Sequence, residues 1–205
     1  MKTFIIKNRI YITCYFIFLI LTGIYLLNYT SEQFSLYINS VHTPFFDVFF
    51  KYVTHFGEVW FAVPICLYLF YRNKQWGIIA SVISISSIIV SQTNKQLIFE
   101  NALRPSLLLK DYKLNFVEGV EMAHYFSFPS GHTTYAFAIF TCLAIIFNKP
   151  MLQVLFLISA LLVGFSRIYL LQHFLRDVFV GSMFGFTLAF TLYWIVIESK
   201  IKIKI

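Results

Sequence analysis

An all-α integral membrane bundle of six transmembrane helices, with an interfacial amphipathic segment between the first two spans, is what this sequence predicts. Composition is the first observation. Of the 205 residues, 59% are hydrophobic and 12% charged, and the mean hydropathy is +0.76. A soluble domain carries about 25% charge, and disorder needs low hydrophobicity with high charge, so both classes are excluded. The second observation is where charge is missing. Residues 10–31, 75–94, 133–148, 150–166 and 178–197 contain none of the 16 bases or 9 acids, and a helix needs about 20 mostly apolar residues to cross a bilayer. The third is that the remaining bases divide unequally between the two sides these spans create.

Taken in order, the first span covers 10–31. Lys2, Lys7 and Arg9 before an apolar run resemble the opening of a signal peptide. The run is long, however, and Leu27-Asn28-Tyr29 offers no small-residue cleavage site, so the span reads as uncleaved. In the next segment Phe34, Tyr37, Ile38 and Val41 fall on one helical face, and Phe45, Phe46, Phe49, Phe50 and Val53 repeat the pattern after Pro44. An aromatic amphipathic piece between spans reads as a helix lying in the interface; packing on the bundle as ordinary core is the alternative. The second span, 59–71, is short at 13 residues, and must begin nearer Phe56 and tolerate Glu58. The third is 75–94. The fourth, 133–148, is also short and borrows from its flanks. From Met151 to Ile197 is 47 residues, about 70 Å as one helix and about twice the hydrocarbon thickness. The chain must therefore reverse near 169–174, although no Gly or Pro marks that turn. No repeat, low-complexity tract or linker interrupts 1–205, which reads as one domain. Cys14, Cys66 and Cys142 lie in apolar runs as small hydrophobes, not as a disulfide framework.

Six spans place both termini on one side, with Lys2, Lys7, Arg9, Arg72, Lys74, Lys149, Lys200, Lys202 and Lys204 against the single acid Glu198. The other side holds seven bases and eight acids in longer loops. The positive-inside rule makes the first side cytoplasmic, so 32–56, 99–132 and 168–177 face outward. The basic excess then serves topology and anionic headgroups; despite a pI near 9.3, nucleic acid is not expected as a partner.

Ionisable residues at span ends are costly and often functional, and here they gather on the outer side. Lys95 ends the third span, Arg104-Pro105 follows, Pro129-Ser130-Gly131-His132 starts the fourth, Ser166-Arg167 ends the fifth, and His173 and Asp177 start the sixth. Three cations match a dianionic phosphate: Arg offers planar bidentate donors and Lys a point charge. The Pro-Ser-Gly-His turn at a helix start adds backbone N–H groups and the positive dipole end, and Gly131 lets the backbone approach closely. Asp177 lies four residues after His173, on the same helical face. Its carboxylate can hold one ring N–H and leave the other nitrogen free, which is an oriented nucleophile. His132 can be the acid that protonates a leaving oxygen. Singly, each residue has a bland reading as headgroup anchor or helix cap; six polar groups at one depth are hard to explain that way.

These motifs resemble the type 2 phosphatidic acid phosphatases, a family that shares its active site with vanadium haloperoxidases. The family's third motif, Ser-Arg, five residues, His, three residues, Asp, is matched by Ser166-Arg167, His173 and Asp177. Its second, Pro-Ser-Gly-His, is matched by residues 129–132. Its first ends in Arg-Pro, matched by Arg104-Pro105, but the usual Lys position is Leu97 here and the nearest Lys is Lys95; a loop bulge would bring it to the phosphate. The resemblance implies that His173 attacks phosphorus to form a phosphohistidine, that Asp177 orients it, and that His132 protonates the leaving alcohol and then activates water. It implies that Lys95, Arg104, Ser130, Gly131 and Arg167 hold the phosphate oxygens.

Other signals are weaker. Glu118, Glu121 and His124 are spaced by three and could place metal ligands on one helical face, but a solvated loop beside the site is the better reading, and carboxylates there would more readily meet a substrate sugar or amine. Five His could ligate haem in a bundle, yet none sits mid-span. A transporter or a lipid-to-lipid phosphotransferase are the remaining alternatives. The expectation is a lipid phosphate phosphatase without metal or cofactor, in a bacterial inner membrane with its site on the outer side. Undecaprenyl diphosphate, phosphatidylglycerol phosphate, phosphatidic acid and the phosphates of lipid A are the candidate substrates, because the motifs read phosphate and not the lipid. The motifs leave the oligomeric state open.

Overall fold

The computed structural model describes residues 2–198, and among them there is no strand. The chain runs α1 (Lys2–Lys7), α2 (Arg9–Asn28), α3 (Ser31–Ser40), α4 (Pro44–Val53), a 3-10 turn (Thr54–Gly57), α5 (Val59–Arg72), α6 (Lys74–Leu97), α7 (Pro105–Leu108), α8 (Gly131–Phe147), α9 (Pro150–Tyr169) and α10 (Leu175–Glu198). Lys200, Lys202 and Lys204, counted above toward the basic side, lie outside the described residues, as does the Glu198 side chain.

Four helices, α2, α6, α9 and α10, are long and apolar enough to cross a membrane. A fifth span exists only if the Pro44–Gly57 stretch and α5, bent by 54° to one another, are taken together, and α8 is an apolar helix of 17 residues. The six expected apolar segments are thus all helical, but two of them are shorter than a straight crossing requires. The second does not absorb Glu58. That residue is the extended N-cap of α5, so a carboxylate expected inside the apolar run stands at its rim.

α8 is the axis of the bundle: every residue from Thr133 to Ile146 is buried. α10, α9 and α6 surround it. The α8–α10 crossing is a backbone contact. A Cβ on Gly181 would come 2.8 Å from the Ser130 carbonyl oxygen, and one on Gly185 would collide with the Thr134 carbonyl oxygen. Small residues spaced by four are the usual means of such close approach in membranes. At the far end Gln153 ties three elements together, accepting from Tyr11 N and donating to the Lys7 carbonyl and to Asn148 Oδ1.

The segment between the first two spans forms two helices, each started by a threonine cap. Thr30 and Gln33 make a capping box for α3, and Thr43 accepts from Phe46 N ahead of Pro44 at the first turn of α4. On α4, Phe50 and Val53 turn inward, Phe50 against Phe165 and Tyr169, while Phe45, Phe46, Val48 and Tyr52 stay exposed. On α3 the buried residues are Ser31, Ser35, Ile38 and Asn39; of the predicted apolar face Ile38 is inside, while Tyr37 and Val41 are exposed. Small polar residues let α3 lie close across the ends of α9 and α10, and Asn39 completes that seam by exchanging hydrogen bonds with Asn115.

The expected reversal between α9 and α10 occupies 170–174. Gln172 N bonds to the Arg167 carbonyl and Leu171 N to the Ile168 carbonyl, the paired bonds of a Schellman cap. The residue in the left-handed conformation is Leu171, φ 53°, where glycine is usual. The turn is therefore silent to any search for Gly or Pro.

Candidate active site

Three connections meet at one end of the bundle: the 54–58 turn, the 98–130 loop and the 170–174 turn. Between them lies a cavity of about 600 Å³. Its walls include Lys95, Arg104, His132, Arg167 and His173, together with Gly131, Glu58, Ser91 and Tyr135. Residues as far apart in the chain as Glu58 and His173 thus share one space.

The α9–α10 turn supplies the histidine–carboxylate pair. His173 and Asp177 are almost fully buried, with His173 Nδ1 3.4 Å from Asp177 Oδ2. The same oxygen accepts from Phe174 N at 3.0 Å and from the Ser127 hydroxyl. Asp177 is the third residue of α10, so its bond to the N-cap N–H also caps the helix. The side chain that orients His173 is thereby fixed by its own helix start and by a serine fifty residues away. Burial first, then Arg104, Lys95, Arg167 and His132, push the His173 imidazole well below the usual histidine range. That shift favours the neutral ring, and in the tautomer with the proton on Nδ1 the N–H meets the carboxylate and Nε2 is left free.

The α8 start is organised by Ser130. Its hydroxyl accepts from Thr133 N and Thr133 Oγ1, and its backbone N–H donates to the Asp177 carbonyl at 3.1 Å. Ser130 itself is wholly buried. Its oxygen accepts both bonds and its own O–H remains available to donate; the neighbours Gly131 and His132 line the cavity. The first N–H groups of a helix lack intrahelical partners, so this turn presents donors as well as the dipole.

Each cation is held by a different element. Lys95, in the last turn of α6, is 8% exposed, whereas Leu97 is 78% exposed. Two residues on a helix lie about 200° apart, so only one of these positions can face the cavity, and in this chain it is Lys95. A Cβ built on Gly131 would stand 3.6 Å from Lys95 Nζ, which brings the ammonium to the α8 start. Arg104 donates from Nε to the Tyr125 carbonyl at 2.8 Å and from Nη1 to the Gln172 carbonyl and Oε1 at 3.1 and 3.0 Å. Burial lowers its proton affinity and Asp177 opposes that shift; a guanidinium stays charged regardless. Arg167 is buried in the last turn of α9 and donates from Nη1 to Thr54 Oγ1 at 2.6 Å. Its Nε finds no hydrogen-bond partner among the described residues, and a buried charged donor of this kind is costly unless an anion's oxygens meet it.

Several of these residues escape sequence reasoning. Gln172, Thr54 and Ser127 each hold a motif residue, and Glu58 faces His132. Gln172 alone had a sequence signal, lying inside the Ser-Arg to His interval. Glu118, Glu121 and His124, weighed above as metal ligands, are exposed in a non-helical loop, so the shared helical face does not exist. That loop is instead anchored by its backbone: Lys51 Nζ donates to the Glu118 carbonyl and Gln172 Nε2 to the Glu121 carbonyl. Among the described residues no three of His, Cys, Asp and Glu gather as a metal site.

A buried histidine–carboxylate pair, a second histidine and three cations around one cavity, set in an apolar helical bundle, define a membrane phosphatase, a hydrolase of phosphate esters. The PAP2 superfamily model matches residues 75–201, well over half of the chain. This protein belongs to the PAP2 superfamily. It is 25% identical over 178 residues to Phosphatidylglycerophosphatase B of Bacillus subtilis, covering 80% of each chain. It is 27% identical over 165 residues to Lipid A 4'-phosphatase of Bacteroides thetaiotaomicron, covering 75% of this chain and 71% of the other. The crystal structure of Aquifex aeolicus LpxE superposes with a TM-score of 0.70 at 29% identity, over 78% of this chain and 93% of that one.

Proposed function

We propose that this protein removes phosphate from a lipid phosphate or diphosphate monoester at the outer face of the membrane, through a phosphohistidine. The observation that carries this reading is that the polar cavity continues into an apolar groove. A space of about 300 Å³ runs between α5 and α6, lined by Val59, Ala62, Val63, Cys66, Leu67, Ser84, Ile85, Ile88 and Tyr135. Val59, Ile88 and Tyr135 belong to both spaces. A phosphate among three cations would therefore have its apolar chain beside it, in a groove that faces lipid. A small soluble phosphate ester has no use for such a groove.

In the proposed reaction Asp177 holds the Nδ1–H of His173, and Nε2 attacks phosphorus. The P–N bond forms as the P–O bond to the lipid breaks, and His132 gives its proton to the leaving oxygen. His132 then takes a proton from water, the resulting hydroxide attacks phosphorus, and the P–N bond breaks to return His173 and release inorganic phosphate. Lys95, Arg104, Ser130, Gly131 and Arg167 stabilise the charge on the transferring group. These cations take the part a metal ion would play, so EDTA should leave the rate unchanged; loss of activity restored by a divalent ion would overturn this point.

The topology that fits is six spans, α2, α5, α6, α8, α9 and α10, with 1–205 as one unit in a bacterial inner membrane. Lys2, Lys7, Arg9, Arg72, Lys74 and Lys149 would be cytoplasmic, and α3 and α4 would lie at the outer interface with Phe45, Val48 and Tyr52 toward lipid. The relatives named above differ in their named substrates, which leaves the lipid to experiment. Purified protein should be assayed for phosphate release from phosphatidic acid, phosphatidylglycerol phosphate, undecaprenyl diphosphate and lipid A, with glycerol phosphate as the soluble comparison. Release from at least one lipid, in excess of glycerol phosphate, is expected; no release from any of them would sink the proposal.

A further inference from the structure

The site holds two histidines, but so far only one of them has a carboxylate partner. His173 has Asp177. His132, the other ring on the cavity wall, faces Lys95 from α6, Arg104 from the 98–130 loop, Arg167 from α9 and His173 from the α9–α10 turn. An imidazolium at His132 would stand among cations, and Asp177 is turned away from it toward Ser127, Phe174 N and His173.

The 54–58 turn supplies the missing charge. Glu58 is the one carboxylate lining the cavity among the described residues. Its Oε1 lies 3.8 Å from His132 Nε2 and 2.9 Å from His55 Nδ1. The separation from His132 is an ion-pair distance, a little beyond a direct hydrogen bond. The turn is built to come this close. Gly57 is buried, and a Cβ there would lie 3.0 Å from both Cβ and the carbonyl oxygen of His132 and 2.7 Å from Val163 Cγ1. Any larger residue would push the turn, and Glu58 with it, off the ring. Thr54 of the same turn holds Arg167, so this short turn supports two site residues at once.

We infer that Glu58 is the positioning residue of His132, the carboxylate that aims its imidazole at the leaving oxygen and offsets the cations around it, with His55 fixing Glu58 in turn. The inference rests on the proposed role of His132 as the general acid. It has a chemical consequence that a merely structural role lacks. An alkoxide leaving group is a strong base and needs the proton in the transition state, whereas nitrophenolate leaves without it. Loss of Glu58 must therefore matter for one leaving group and not for the other. It must also make free His132 less basic, because an adjacent anion favours the charged imidazole.

The test compares wild type, Glu58→Gln and Glu58→Asp in detergent, on phosphatidic acid and on 4-nitrophenyl phosphate. The quantity read is kcat/KM, which reports the steps up to phosphorylation of His173, against pH. Glu58→Gln should lower kcat/KM on phosphatidic acid about 30-fold at neutral pH, within what general acid catalysis contributes, and by less than about threefold on the aryl ester. The alkaline limb of the phosphatidic acid profile should move to lower pH, and Glu58→Asp should restore it in large part. In a His132→Gln background Glu58→Gln should add nothing. Equal losses on the two esters, or an unmoved alkaline limb in both variants, would overturn the inference. Absence of phosphate release by the wild-type protein would instead refute the function on which it rests.

Discussion

The proposed attack of His173 on phosphorus needs a neutral imidazole, and its surroundings favour that state: burial first, then the Arg104, Lys95 and Arg167 charges and His132, hold its proton affinity well below the ordinary value. The sign of the pH effect follows. The unfolded chain protonates this ring near pH 6.5 and the folded chain only at lower pH, so below about 6.5 the unfolded state binds the extra proton. The contribution to stability is complete above that pH and is lost as pH falls. Thermal unfolding in detergent should therefore weaken below pH 6.5, and less steeply in His173→Gln. The acid limb of kcat/KM should fall below 6.5 for the same reason, and His173→Ala should abolish phosphate release while the protein still elutes as a folded species. Gln172 gives a second residue-scale expectation. It accepts from Arg104 with its side chain and donates to the Glu121 carbonyl, joining the phosphate arginine to the outer loop. Gln172→Ala removes a hydrogen bond to a charged group, worth about 1.5 kcal/mol, so KM for a lipid phosphate should rise about tenfold with kcat changed less; an unchanged KM would show that Tyr125 and the Gln172 backbone suffice to hold Arg104.

At the scale of elements, the contrast between two glycines separates packing from propensity. Gly185 lies where α10 crosses α8, and a Cβ there would strike the Thr134 carbonyl oxygen. Gly23 lies within α2, where the nearest atom to a Cβ would be Phe179 Cζ at 3.9 Å. Gly185→Ala should destabilise by about 2–3 kcal/mol through overpacking, whereas Gly23→Ala should stabilise slightly, by up to about 1 kcal/mol, because alanine is the better helix former. Melting temperatures in one detergent check both signs. The same elements show what a sequence discloses. The six apolar helices were legible because bilayer crossing is a matter of composition over about 20 residues. The motif residues were legible because histidine and aspartate four apart, or a helix-starting Pro-Ser-Gly-His, are local patterns. Gln172 and Thr54 were not, since their bonds to Arg104 and Arg167 span 68 and 113 positions. The face by which α3 packs was not legible, because hydrophobic periodicity finds the apolar stripe and not the small polar residues Ser31, Ser35 and Asn39 that let the helix come close.

For the molecule as a whole, the scarcity of charge is what makes its placement informative. Nine of the thirteen described bases fall into two sets. Lys2, Lys7, Arg9, Arg72, Lys74 and Lys149 lie at the ends of helices remote from the cavity, and Lys95, Arg104 and Arg167 line it. In the proposed topology the first set would face the anionic cytoplasmic leaflet, being costly to translocate. The second set suits an anion, and the groove between α5 and α6 suits one that carries an apolar chain. Both demands are met if the cavity opens at the outer headgroup level while the short basic loops stay inside. The three native cysteines all lie in apolar helices, so single cysteines placed in loops report sidedness with little background. In intact cells Asp111→Cys and Lys113→Cys, in the loop beside the cavity, should react with a membrane-impermeant maleimide. Lys74→Cys and Lys149→Cys should react only after permeabilisation. The reverse pattern would place the cavity in the cytoplasm and the phosphate chemistry on the inner leaflet. Labelling of all four positions from outside would contradict an odd number of crossings between Lys74 and Asp111, and with it the six-span path of the chain.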